Sequence, residues 1–158
     1  GGNPNSERII EIGIVLHDGK HKIGEYTTLI NPEKDISAFI STFTGITNTM
    51  VKNAPKFVEV ADTILELLDG KIIVAHNARF DYNFIKGEFA SLGYQFEREK
   101  LCTVKLSRKL IPGKKTYSLG PLCESLGIGN NARHRAEGDA VATAKLFDIL
   151  LQIKSTQR

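Results

Sequence analysis

Apolar and polar positions alternate at the start of the chain. Ile10, Ile12, Ile14 and Leu16 fall on one side, with Glu11, Gly13 and Val15 between them. A period of two predicts a strand over residues 7–16. Asp18-Gly19 is a hairpin turn signal, and a second strand is expected from Lys22 to Ile30, closed by Asn31-Pro32. Residues 37–53 are less regular and read as short helical turns. From Phe57 to Leu68 the apolar positions 57, 60, 61, 64, 65 and 68 follow helical spacing with one buried face, ended by Asp69-Gly70.

The run Lys71-Ile-Ile-Val-Ala75 is short and β-branched between turn signals, which predicts a strand buried on both faces. A helix is expected from Arg79 to Leu92, stopped by Gly93, and a weaker strand from Glu97 to Cys102. Helices follow over 103–110 and 118–126, separated by Pro112-Gly113. A last helix runs from Ala136 to Leu151, with Ala140, Ala144, Phe147 and Leu151 on one stripe. A hairpin followed by alternating helices and strands predicts an α/β fold with a mixed sheet and helices packed on it.

Composition narrows the class. Over 158 residues, 41% are hydrophobic and 25% charged, as in an ordinary soluble domain. One compact domain is expected for this length. No uncharged apolar run approaches the ~20 residues that span a bilayer, so no membrane partner is expected. Lys and Arg number 21 against 18 Asp and Glu, giving +3, which permits a polyanionic partner without requiring one. Cys102 and Cys123 are the two cysteines, and no signal peptide precedes them, which points to a reducing, cytoplasmic setting with free thiols. They are a poor zinc signature, and nothing resembles a Walker loop or a Ser-His-Asp constellation.

Two segments carry candidate chemistry. Val74-Ala-His-Asn-Ala-Arg-Phe-Asp81 leaves a strand and enters a helix, placing His76, Asn77 and Asp81 at a strand's carboxyl end, where ligands of open α/β sheets gather. Asp81 alone also fits an ordinary first-turn acid favoured by the helix dipole. His134-Arg-Ala-Glu-Gly-Asp139-Ala opens the last helix, and His134 and Asp139 can point at one spot. Alone, His134 also fits a cap or surface residue.

Together these segments resemble motifs II and III of the DEDDh exonucleases, relatives of the proofreading epsilon subunit of bacterial DNA polymerase III. Arg8-Ile-Ile-Glu-Ile-Gly13 resembles the family's second strand, and Thr44-Gly-Ile-Thr-Asn-Thr-Met50 its substrate-side loop. Leu110-Ile-Pro-Gly113 and the segment from Tyr117 to Gly127 resemble the stretch between motifs II and III. The resemblance runs in order from Glu7 to Leu151. It implies a ribonuclease-H-like fold and metal-dependent 3′-5′ hydrolysis of nucleic acid, with DNA as the expected substrate. An RNA 3′-exonuclease similar to oligoribonuclease is the alternative within the class; an inactive nucleic-acid-binding or interaction module is the alternative outside it.

Carried over residue by residue, the resemblance makes Asp139 and Asp81 ligands of a pair of Mg²⁺ or Mn²⁺ ions and His134 the general base. Hard cations want oxygen ligands, and a histidine titrates near neutral pH. Thr44, Gly45, Ile46 and Thr47 would meet the 3′-terminal nucleotide, with Asn77 and Phe80 also on the substrate side. Phe43 and Phe80 can stack on a base, although Phe80 also suits a core. His76 reads as structural support. Lys105, Arg108, Lys109, Lys114 and Lys115 either track phosphate or form a solvated face. The implied partners are a nucleic acid with a free 3′ end, single-stranded DNA foremost, and a DNA polymerase or repair assembly. One departure stands out. Family members carry motif I, Asp-x-Glu-Thr-(Thr)-Gly, on a strand just before the segment that here begins at Gly1. Residues 1–158 are therefore expected to be a single exonuclease-like domain, N-terminally incomplete and missing its first central strand. Glu7 and Glu11 are not good substitutes, because Glu7 starts its strand and Glu11 reads as a residue of the hairpin face.

Overall fold

The computed structural model describes residues 8–129 and 135–157, with the side chains of 78–80 left aside. Its elements follow the expected order. Strands β1 (Glu11–His17) and β2 (Lys22–Leu29) form an antiparallel hairpin in which Ile12 faces Thr28 and Ile14 faces Tyr26. The turn is held by the Asp18 carboxylate, which accepts from the Lys20 and His21 amides at 2.8 and 2.9 Å. Gly19 takes the positive φ of 93° that this turn requires.

The region read as helical turns contains α1 (Ala38–Thr44) and α2 (Asn48–Val51). Ser37 caps α1 by accepting from the Ile40 amide, and Gly45 ends it in the left-handed conformation at φ 78°. α3 (Phe57–Leu68) buries Phe57, Ala61, Ile64 and Leu68, the stripe set by its periodicity. β3 (Ile73–Ala75) is shorter than the apolar run around it and half-buried rather than covered on both faces; Ile72 is exposed. It leads into α4 (Ala78–Ser91) and pairs in parallel with β4 (Lys100–Cys102). α5 (Thr103–Leu110), α6 (Leu119–Ser125) and α7 (Ala136–Thr156) complete the chain.

The two strand pairs stand as separate two-stranded sheets among the described residues, where one mixed sheet was expected. The described core falls into two apolar clusters. Ile12 and Ile30 join α3 and the aromatic group Phe57, Phe89, Phe96 and Tyr82; Phe89 meets Phe57 edge-on at 4.9 Å and stacks on Phe96 at 4.9 Å. The second cluster packs Leu110, Leu122 and Cys123 against Ala142, Leu146 and Leu150 of α7.

β1 and α7 run side by side. Glu11 meets the start of α7, Gly13 lies against Ala136 and Glu137, and His17 bonds Asp148 at 2.6 Å with its ring edge on Phe147. Six residue steps of strand span roughly 20 Å, and twelve of helix roughly 18 Å, so the two elements stay in step along this length. Gly13 is required for it: a Cβ there would sit 2.5 Å from the Ala136 carbonyl oxygen. α7 continues to Thr156, beyond the apolar stripe read from the sequence, through a polar end whose residues from 154 on are exposed. Among the described residues no helix is long and apolar enough to cross a membrane.

Candidate active site

The sequence Ile73-Val-Ala-His-Asn makes a sharp passage from strand to helix. Asn77 takes φ 77° and ψ 60°, a left-handed conformation that asparagine tolerates better than most residues. Its side chain makes no cap to α4. This turn sets Asp81 in the first turn of α4, while Tyr82 beside it points into the aromatic cluster. Asp139 occupies the first turn of α7, and its amide donates to the Arg135 carbonyl at 2.9 Å.

The two carboxylates come together. Asp81 as a residue is exposed, yet the protein around its carboxyl desolvates it, and the charge of Asp139 adds to this; the pKa rises from 3.8 to about 6. The first turn of a helix favours an anion, so desolvation and the like charge of Asp139 outweigh the helix dipole here. The charge of Asp139 is also felt at Cys123: burial first, and then the Asp139 charge, raise the Cys123 thiol. Hard oxygen donors set close enough to repel one another suit a divalent cation, which relieves that repulsion. Among the described residues no group of three or more His, Cys, Asp or Glu side chains is placed to hold a metal ion. Asp81 and Asp139 thus bring together two carboxylates. Neither Cys102 nor Cys123 is in a disulfide.

His76 is structural support for this corner. Its Nε2–H donates to the Tyr117 carbonyl, and its Nδ1 lies 2.8 Å from the buried Thr103 hydroxyl. A carbonyl only accepts, so Nε2 carries the proton, and in the neutral ring Nδ1 accepts from the Thr103 hydroxyl. Desolvation lowers the His76 pKa against the opposing effect of the Tyr117 carbonyl, in keeping with a neutral ring. His76 thereby ties the exit of β3 to the start of α5 and to the loop before α6.

Glu11 is the residue that periodicity missed. Its place on β1 reads as a hairpin face, but its side chain is only 6% exposed. Its carboxylate accepts from the Ala136 amide at 2.7 Å and from Arg135 Nη2 at 2.8 Å and Nε at 3.1 Å. Buried carboxylates need such partners. The available sequence signal was a charged residue in an otherwise apolar strand.

The remaining expected residues fare differently. His134 lies outside the described residues, and the side chain of Phe80 is likewise undescribed. In the Thr44–Thr47 loop both hydroxyls serve local backbone: Thr44 Oγ1 donates to the Ile40 carbonyl at 2.8 Å and accepts from the Ile46 amide at 3.1 Å, and Thr47 caps α2. Ile46 is buried. Phe43 is half exposed and stacks on the more exposed Phe39 at 5.9 Å. Lys105, Arg108 and Lys109 lie on α5, with Arg108 over the Tyr117 ring at 5.7 Å; Lys114 and Lys115 follow in the loop.

Comparison with known proteins identifies the family of the chain. Residues 1–147 match the family model of the RNase T exonucleases. A PolC-type DNA polymerase III of Caldanaerobacter subterraneus subsp. tengcongensis is 42% identical over 147 residues, covering 93% of this chain and 10% of that protein. The 3′-5′ exonuclease DinG of Bacillus subtilis is 40% identical over 154 residues, covering 96% of the chain and 16% of the relative. The chain thus spans between a tenth and a sixth of these relatives. Among solved structures, exonuclease X in complex with 5′ overhanging duplex DNA superposes with a TM-score of 0.73 at 29% identity, covering 96% of this chain and 86% of that one. A zinc-bound Escherichia coli exonuclease I complex with single-stranded DNA superposes with a TM-score of 0.85 at 19% identity, covering 99% and 38%, a likeness of fold. The chain belongs to the RNase T exonuclease family, of DEDDh type.

Proposed function

We propose that this domain hydrolyses phosphodiester bonds at the 3′ ends of nucleic acid, single-stranded DNA foremost, with Mg²⁺ or Mn²⁺ at Asp81 and Asp139. The observation that supports this most is the coupling of the two carboxylates, each carried on the first turn of a helix. Divalent cations, when bound, supply Lewis-acid stabilisation of the charge that develops on the phosphate. Asp81 and Asp139 would hold the cations, and His134 would accept the proton of the attacking water. Thr44, Gly45, Ile46 and Thr47 receive the terminal nucleotide, with Asn77 and Phe80 on the substrate side.

Two carboxylates are few for a cation pair. The domain works in the cytoplasm as part of a longer polymerase or repair enzyme, a setting that suits two cysteines outside any disulfide. The test is digestion of 3′- and 5′-labelled single-stranded DNA and RNA by the full-length protein with Mg²⁺, Mn²⁺ or EDTA. Stepwise, EDTA-sensitive loss from the 3′ end of DNA is expected. Loss from RNA alone would move the substrate to RNA, and loss from neither would leave a binding module.

A further inference from the structure

We infer that Glu11 is a positioning residue for the exonuclease reaction, fixing where Asp139 stands by holding Arg135 and the first amide of α7; the inference rests on the reading of Asp139 as a metal ligand. Three observations carry it. First, α7 begins without a side-chain cap of its own: Arg135 at its N-cap makes no such bond. The Ala136 amide is served instead by Glu11, from a strand on the far side of the chain, at 2.7 Å. An anion at a helix N-terminus is favourable, and an amide left unpaired there is costly.

Second, Arg135 is held at both ends. Its guanidinium donates to both Glu11 oxygens, and its carbonyl accepts from the Asp139 amide at 2.9 Å. A shift of Arg135 therefore passes directly into the helical turn that carries Asp139. Third, there is no slack beside this contact. Gly13 lies two residues along β1, where a Cβ would stand 2.5 Å from the Ala136 carbonyl oxygen and 2.7 Å from the Glu137 nitrogen. The strand and the helix start are in backbone contact, so the Glu11 carboxylate sets the remaining freedom of α7. Catalytic constellations must hold to fractions of an ångström, and ~1 Å of misplacement costs on the order of 10²-fold in rate.

A merely structural ion pair would lower the melting temperature and leave the folded enzyme unchanged. The test is Glu11→Gln in the full-length protein. Glutamine keeps an oxygen for the Ala136 amide and loses the charge that holds Arg135. The expected result is a folded protein whose kcat falls ~10–100-fold while KM for a DNA 3′ end stays within about twofold, and whose Mn²⁺ affinity, read by titration, falls as well. Arg135→Ala should show the same loss, Arg135→Lys a smaller one, and the Glu11→Gln/Arg135→Ala pair no more than either alone, since the two act as a unit. Wild-type kcat and wild-type Mn²⁺ affinity in Glu11→Gln would overturn the inference, as would full additivity in the pair. If Glu11→Gln does not fold, Arg135→Lys and Arg135→Ala decide on the same readouts. If the unaltered protein digests no 3′ end, the exonuclease reading fails, and the Mn²⁺ titrations alone decide whether Glu11 positions Asp139.

Discussion

The carboxyl of Asp81 feels the charge of Asp139, although the two stand on different helices and are joined to the fold through different strands. Asp81 is delivered by the left-handed turn at Asn77 after β3, and Asp139 by the contact of β1 with the start of α7. Two like charges brought together raise the energy of the site. This is the usual signature of a place built for a ligand of opposite charge.

That energy is measurable. The folded pKa of Asp81, about 6, lies above its ordinary 3.8. Folding therefore favours the protonated acid. The stability this gives is fully present below pH 3.8 and is lost as pH rises through about 6. At pH 7, Asp81→Asn should stabilise the cation-free protein by about 1 kcal/mol, a figure reduced from the full shift because the side chain opens to solvent. Thermal unfolding in EDTA checks it. Mg²⁺ should raise the melting temperature of the wild type more than that of the variant, and identical responses would refute the assignment.

Asp139→Ala should abolish cation-dependent release of nucleotides and leave the fold intact, because a half-exposed helix-start acid adds little to stability. His134→Ala should lower kcat by ~10²–10⁴-fold, the usual loss on removing a general base. Circular dichroism beside a 3′-end assay separates these losses from unfolding. Full activity in folded Asp139→Ala would refute its role as a metal ligand.

Gly13→Ala should destabilise by ~1–3 kcal/mol, because the added methyl meets backbone atoms of Ala136 rather than a movable side chain. Chemical denaturation gives the number directly. A neutral result would mean that β1 and α7 slide apart at little cost, and the activity of that variant would then show whether their contact matters to the site.

The helices were legible because their apolar stripes recur: Phe57, Ala61, Ile64 and Leu68 follow one another down α3 and are all buried. The hairpin announced itself through alternation and Asp18-Gly19. Asp81 and Asp139 were legible as candidates through the order of two motifs, and periodicity alone would have left each an ordinary helix-start acid. The role of Glu11 was hidden. Periodicity assigns a strand residue to a face, but it cannot say which helix, more than a hundred residues later, will press on that face. The length of β3 was overread for a similar reason: Ile72 has the right side chain for a buried strand, and tertiary structure leaves it exposed.

His76 and Asp81 should pull stability in opposite directions over one pH range. His76 sits between the Tyr117 carbonyl, which accepts from Nε2–H, and the Thr103 hydroxyl at Nδ1, an arrangement the neutral ring satisfies. Burial lowers its pKa below the ordinary 6.5. Its contribution is therefore present above pH 6.5 and is lost as pH falls from there through the lower folded value. Asp81 behaves in the contrary sense, gaining as pH falls through about 6. The wild type should show a shallow dependence between pH 5 and 7 because the two partly cancel. Asp81→Asn removes the gain and should leave a protein that loses stability steadily on acidification. His76→Gln removes the loss and should leave one that is stabilised on acidification, from a lower starting point because the tie between β3 and the Tyr117 carbonyl is weakened. Melting temperatures of the three proteins across this range, in EDTA, provide the check. If Asp81→Asn and His76→Gln changed with pH in the same direction, one of the two titrations would be wrongly assigned, and the double variant would identify it by whichever slope remained.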